Sequence, residues 1–188
     1  IDVECIESVP EPQPRFIVVQ ALPKSEHSEL AVDLLTQAGA DVIVPWAARN
    51  CVTQWKADRA AKAHAKWVAT ARTTSKQCRR SRIPEIAPLA SLGEVQALIA
   101  QADLALLLHE DASTSISSVT LPVAGTIVLI IGPEGSIAPE ERAALGAATE
   151  VLLGPTVLRT SAAGAVALGV LMSRTPRWDP QGMEGFRA

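Results

Sequence analysis

Thr126-Ile127-Val128-Leu129-Ile130-Ile131-Gly132-Pro133-Glu134-Gly135-Ser136 sets an unbroken apolar run directly against a loop of two glycines and a proline. A short run without polar alternation suits a central strand of a parallel sheet, because helices cover both faces of such a sheet. The glycines let backbone approach a ligand, and Pro133 stiffens the turn. A second loop of the same character, Leu153-Gly154-Pro155-Thr156-Val157-Leu158-Arg159-Thr160-Ser161, follows a short strand expected over 150–153. Neither loop is G-x-G-x-x-G and neither supplies a P-loop lysine, so NAD and ATP chemistry find no motif. Ligands of parallel sheets bind beyond the carboxyl ends of the strands, and two Gly-Pro loops there, one carrying Glu134 and one Arg159, point to a pocket.

Outward from these loops the chain alternates strand and helix. A strand is expected over 16–21, then a helix capped by Ser25 running to about 37 and closed by Gly39, then a strand over 41–45. A basic helix covers roughly 55–74, with Ala57, Ala61, His64, Val68 and Ala71 as its apolar stripe. An extended piece at 83–89 precedes a helix over 91–100 and a buried strand over 103–108. The Ser- and Thr-rich stretch 111–125 reads as a loop or weak helix. Pro139-Glu140-Glu141 opens a helix ending near 148, and an Ala-rich helix, apolar on nearly all sides, runs over 161–173. This alternation defines an α/β fold with a mostly parallel sheet and helices on both faces.

Composition narrows the function classes. With 188 residues, 48% hydrophobic and 20% charged, the chain fits one ordinary domain with a sizeable core, which excludes general disorder. Cys5, Cys51 and Cys78 are odd in number and lack C-x-x-C spacing, so they form neither a disulfide framework nor a zinc finger and point to a reducing, cytoplasmic setting. Three dispersed histidines give a metal site no support. No apolar run reaches the 18 or so residues of a membrane span. The start at Ile1 and the prolines at 10, 12 and 14 read as a linker over 1–15, with 176–188 as a tail.

The net charge of −3 is unevenly spread. Nine basic residues against Asp58 give the segment 56–82 a net +8, leaving −11 elsewhere. On the helix these charges read as a solvated face. The Lys76 to Arg82 cluster follows the helix, lacks apolar periodicity and runs into Ile83-Pro84, so it reads as an anion site suited to nucleic-acid phosphates.

Taken together, Ile131-Gly132-Pro133-Glu134-Gly135 and Leu153-Gly154-Pro155-Thr156-Val157-Leu158-Arg159-Thr160, with Pro23-Lys24 before them and Gln77-Cys78-Arg79-Arg80-Ser81-Arg82-Ile83-Pro84 between, resemble the RsmE family. That family is the small-subunit (16S) ribosomal RNA uridine-N(3) methyltransferase group of the SPOUT class, and the resemblance spans about 16–175. It implies a C-terminal trefoil knot, S-adenosylmethionine as cofactor, a homodimer, 16S rRNA or the small ribosomal subunit as partner, and an N-terminal PUA-like domain upstream of the segment 1–15. The chain departs from the family pattern at Ser136, where a glycine is usual, and at Thr156 and Ser161, where an Arg and a Glu are usual.

The resemblance also implies roles. The cofactor pocket is expected from Leu108 and His109, from Ile131, Gly132, Pro133, Glu134 and Gly135, from Leu153, Gly154, Pro155, Val157 and Leu158, and from Ser161 and Ala162 at the start of the last helix. N(3) methylation requires loss of a weakly acidic ring proton, so a cation near the uracil carbonyls favours the anion. Arg159 is the first candidate and Arg80 the second. Glu134 either binds ligand or substrate or ties its loop to Arg159, and Ser161 cannot be a carboxylate base. Arg79, Arg80 and Arg82 are the expected RNA contacts. The alternative is a catalytically lapsed RNA-binding or ligand-binding α/β dimer.

Overall fold

The computed structural model describes residues 9–24 and 27–178, with the backbone alone at 57 and 58. Ser25, the first eight residues of the expected linker and residues 179–188 of the expected tail lie outside the described residues. Six strands, all parallel, form one sheet: β1 (Arg15–Ala21), β2 (Val42–Trp46), β3 (Glu85–Ile86), β4 (Leu104–Leu108), β5 (Thr126–Ile131) and β6 (Thr149–Val151), in the order β3-β2-β1-β5-β4-β6. β1 and β5 are central neighbours, with Ile17 opposite Val128 and Val19 opposite Ile130. From Ile127 to Ile131 every residue of β5 is buried, as its unbroken apolar run predicts.

The helices are α1 (Ser28–Ala38), α2 (Ala57–Gln77), α3 (Leu92–Gln101), α4 (Pro139–Ala144) and α5 (Thr160–Met172). Strand order moves one way through β1, β2 and β3 and the other way from β3 to β4, so right-handed crossovers set α1 and α2 on one face and α3 on the other. α5 packs beside α1, where a Cβ on Gly164 would meet Leu35 Cδ2 at 3.0 Å. α4 joins α3 through a hydrogen bond from Gln96 Nε2 to the Ala144 carbonyl (2.9 Å). α3 begins at a capping box in which the Ser91 hydroxyl accepts from Glu94 N–H and the Glu94 carboxylate accepts from Ser91 N–H. Gly39 ends α1 as expected, at φ 104°, with its N–H on the Leu35 and Thr36 carbonyls.

Four expectations need correction. The buried stripe of α2 runs through Trp67, Ala71, Thr74 and Ser75, while Ala61 and Val68 are exposed. The indole of Trp67 dictates that rotation: its Nε1–H reaches Ser28 Oγ (2.8 Å) and its ring meets Trp55 edge-on at 5.2 Å. α4 stops at Ala144 rather than near 148, because Gly146 tightens the last turn with an N–H bond to Ala143 O (3.2 Å). β6 ends at Val151, since Leu152 N–H leaves the sheet for the Thr114 carbonyl (2.8 Å). α5 buries Gly164, Ala167, Leu168, Leu171 and Met172 but leaves Val166 46% exposed, so its apolar circumference is covered on one side within this chain.

At the amino-terminal edge of the sheet a charged network is buried. Arg177 grips Asp41 with both nitrogens (Nη1–Oδ2 2.5 Å, Nη2–Oδ1 3.0 Å), donates to the Pro14 and Gly39 carbonyls, and lies 5.5 Å over the Phe16 ring. Asp41 Oδ2 also accepts Phe16 N–H (2.8 Å). The ordered fold therefore continues through the turn Pro176–Trp178, past 175.

Candidate active site

Three loops leave the carboxyl ends of β4, β5 and β6 and enclose a cavity of about 400 Å³, within the ordinary range for small-molecule sites. β4 supplies Leu108, His109 and Glu110. β5 supplies Ile131, Gly132, Pro133 and Glu134, with Ser136 and Ile137 beyond. β6 supplies Val151 to Leu158, and the start of α5 adds Arg159, Thr160 and Ala163. The two Gly-Pro loops, far apart in sequence, thus face each other, as expected.

The first loop is a tight turn, closed by Ser136 N–H on the Pro133 carbonyl (3.2 Å). A Cβ on Gly132 would come within 2.7 Å of Ile137 Cγ1, so only glycine lets the loop fold back on itself there. Asn50 holds the far side of the turn, its Nδ2 donating to the Gly135 (3.3 Å) and Ser136 (3.0 Å) carbonyls. Ser136 sits at φ 59°, the left-handed region, which accounts for the usual family glycine. A left-handed L-residue costs roughly 1–2 kcal/mol and a β-branched one more, whereas glycine trades that strain against chain entropy. Ser136→Val therefore lowers unfolding free energy by about 1–2 kcal/mol, and Ser136→Gly stays within about 0.5 kcal/mol of the parent, as denaturant unfolding will show.

The second loop is anchored from below. Gln20, fully buried at the end of β1, donates from Nε2 to the Ala21 (3.0 Å) and Thr160 (3.3 Å) carbonyls and so fixes the start of α5. Gly154 has open space where a Cβ would stand, and Val157 is 81% exposed at the loop tip. Arg159 precedes α5, and its Nη1 lies 3.2 Å from His27 Nε2. Glu134, which lines the cavity, does not pair with it; its Oε1 accepts the Lys24 backbone N–H (3.1 Å) and so ties the first loop to the segment after β1.

His109 is buried between this cavity and a neighbouring one of about 490 Å³. Its Nδ1 accepts Asp111 N–H (3.1 Å), so the neutral ring carries its proton on Nε2. Beside it Arg142 makes a bidentate pair with Glu150 (2.6 and 2.7 Å). Hydrogen bonding to Arg142 holds the Glu150 carboxyl below its usual range, and the same bonds raise the Arg142 guanidinium. Burial pushes the Cys51 thiol up to about 11, which keeps it neutral and inert. Cys78 is exposed, with its thiol toward the Ser75 carbonyl (3.9 Å). Among the described residues no cluster of His, Cys, Asp and Glu is arranged to hold a metal, and no helix is long and apolar enough to cross a membrane.

Some expected site residues lie elsewhere. Gly135 packs on Asn50 rather than lining the cavity. Ser161 and Ala162 turn away because α5 starts at Thr160, which puts Thr160 and Ala163, one helical turn apart, on the cavity face. Arg80 is not in the crevice. It is inserted at the amino-terminal edge of the sheet, donating to the Thr36 (2.6 Å) and Ala40 (2.8 Å) carbonyls 3.9 Å from Asp41. Burial there lowers its pKa, against the pull of Asp41. Its guanidinium caps the end of α1, away from the crevice where the catalytic role was expected. Arg79, exposed at φ 54°, and Arg82, bound to Val9 O and Glu11, flank it at that edge. Glu110, Ser136, Ile137, Val151 and Leu152 also line the cavity and stand beside expected residues in sequence, whereas His27, which reaches Arg159, comes from a different element.

Residues 10–172 match the model of the RNA methyltransferase domain, and the chain belongs to that family. Ribosomal RNA small subunit methyltransferase E of Mycobacterium bovis is 47% identical over 178 residues, covering 92% of this chain and 68% of that protein. By that relationship the chain is a member of the ribosomal RNA small subunit methyltransferase E family. Lpg2936 of Legionella pneumophila, solved with the bound cofactor S-adenosylmethionine, superposes with a TM-score of 0.80 at 29% identity, covering 87% of this chain and 67% of that one. The Neisseria gonorrhoeae small subunit methyltransferase E, solved with S-adenosylmethionine, shares the fold at TM-score 0.77 and 22% identity over 86% of this chain and 67% of that one.

Proposed function

We propose that the chain methylates N(3) of a uridine in 16S rRNA with S-adenosylmethionine held in the three-loop crevice, acting in the cytoplasm as a knotted homodimer. As a member of its family it is an S-adenosylmethionine-dependent rRNA methyltransferase; the uridine nitrogen, the knot, the dimer and the compartment are the finer part of the proposal. The cavity suits the cofactor: apolar walls at Leu108, Ile131, Ile137 and Leu153 meet backbone from both Gly-Pro loops, and Gly154 keeps the second loop's backbone accessible. S-adenosylmethionine supplies, when bound, an electrophilic methyl group on a sulfonium sulfur.

The observation that carries the reading is the position of Arg159. It is the one permanently charged cation among the described residues lining the cavity. Loss of the N(3) proton leaves negative charge on the uracil ring and its two carbonyls, and a preoriented guanidinium stabilises that charge as it forms. Ser161, buried in the first turn of α5, is no carboxylate, and Glu134 at the rim already accepts the Lys24 N–H on one of its two oxygens. Exposed Arg79 and Arg82 contact RNA phosphate in this reading, and the uncovered apolar side of α5 with Val166 meets the second subunit.

Calorimetric titration tests the cofactor half. S-adenosylmethionine binds at about one site per protomer while ATP and NAD do not, and labelled methyl then passes to small ribosomal subunits. A folded protein that binds none overturns the assignment. Binding without transfer favours the lapsed, ligand-binding alternative.

A further inference from the structure

Arg159 has a problem that its role makes acute. It stands at the end of an exposed loop on a long side chain with many rotamers, yet a cation that stabilises developing charge works only if it is already aimed. The structure supplies a restraint from another element. His27, the residue before α1, is anchored through its backbone N–H to the Lys24 carbonyl (2.8 Å), is half-buried, and makes no side-chain cap to its own helix. Its Nε2 instead lies 3.2 Å from Arg159 Nη1. A guanidinium has only donors, so Nε2 must present its lone pair: in this contact the imidazole is neutral with its proton on Nδ1. The segment after β1 thus reaches both ligand loops, through His27 to Arg159 and through the Lys24 N–H to Glu134.

We propose that His27 is a positioning residue for methyl transfer, its Nε2 lone pair holding the Arg159 guanidinium in the orientation that meets the uracil carbonyls. The inference rests on the methyltransferase reading of the crevice. It assigns His27 no contact with substrate or cofactor and no proton transfer.

The variants His27→Ala, His27→Gln and His27→Asn of the full chain separate this role from a structural one. Glutamine places an amide oxygen near the position of Nε2; asparagine places it near Nδ1, out of reach of Arg159 but well suited to an N-cap. Alanine and asparagine lower kcat about tenfold or more with KM and S-adenosylmethionine affinity nearly unchanged, and glutamine recovers most of the loss. Adding His27→Ala to Arg159→Ala costs nothing further, because the effect passes through Arg159. A purely helix-capping role would put asparagine at or above histidine and make activity follow melting temperature, and that order would overturn the proposal. A readout free of turnover decides the contact itself: long-range nitrogen correlation spectra show the Nδ1–H tautomer of His27 in the parent and a changed ring in Arg159→Ala. An Nε2–H tautomer in the parent overturns the contact. A parent that binds cofactor, shows the Nδ1–H tautomer and transfers no methyl overturns the catalytic reading and the role built on it, with the contact intact.

Discussion

Asp41→Ala lowers the unfolding free energy by about 3–5 kcal/mol, the usual cost of removing one partner from a buried ionic network. The size follows from what the carboxylate holds. Both oxygens are engaged by Arg177, one also accepts Phe16 N–H, and Arg80 sits 3.9 Å away. The side chains of Asp41 and Arg177 are only 12% and 10% exposed, so solvent cannot replace the lost partner without opening the edge of the sheet. The Pro14, Thr36, Gly39 and Ala40 carbonyls would still bind the two guanidiniums, but as dipoles without a countercharge. Urea unfolding measures the effect. In Asp41→Ala/Arg177→Ala the loss is smaller than the sum of the single losses, because the second change removes the charge that the first left unpaired. A loss below 1 kcal/mol would mean that water reaches this network freely.

Arg159→Ala lowers the rate of methyl transfer about 10²-fold, the scale seen when one preorganised donor to a developing anion is removed. Affinity for S-adenosylmethionine changes far less, since most of the cavity wall is formed by other residues of the three loops. Single-turnover transfer to small ribosomal subunits at saturating cofactor, set beside calorimetric affinity, separates the two quantities. Arg159→Lys recovers part of the rate, because an ammonium keeps the charge but not the planar fork. Equal losses in rate and affinity would make Arg159 a wall of the cofactor site instead.

What the sequence disclosed depended on the range over which each feature is determined. The central strand and its loop were readable because burial on both faces leaves a purely apolar run, and because only glycine allows the close approach of Gly132 to Ile137. The cavity-facing residues of the second loop followed from adjacency to Leu153 and Pro155. At α5 the reading slipped by one residue, and helical geometry turned that slip into the wrong face: Ser161 and Ala162 in place of Thr160 and Ala163. The place of Arg80 was not legible for another reason. A basic cluster after a helix looks like an anion site locally, and the partners that claim its guanidinium lie 40 and 44 positions earlier in the chain. His27 was passed over likewise, since Arg159 is 132 positions away.

The carboxylate network lies at the amino-terminal ends of β1 and β2 and the crevice at the carboxyl ends of β4, β5 and β6, and this separation has an evolutionary consequence. Ser136 and Thr156, two of the positions where the chain departs from its family, lie on the ligand side, where their side chains border open space. Changes there that respect the left-handed backbone at Ser136 can alter what the enzyme holds and how fast it reacts without drawing on the bonds that keep the sheet folded. A lineage can therefore explore new substrates at one rim of this domain while purifying selection acts on the other.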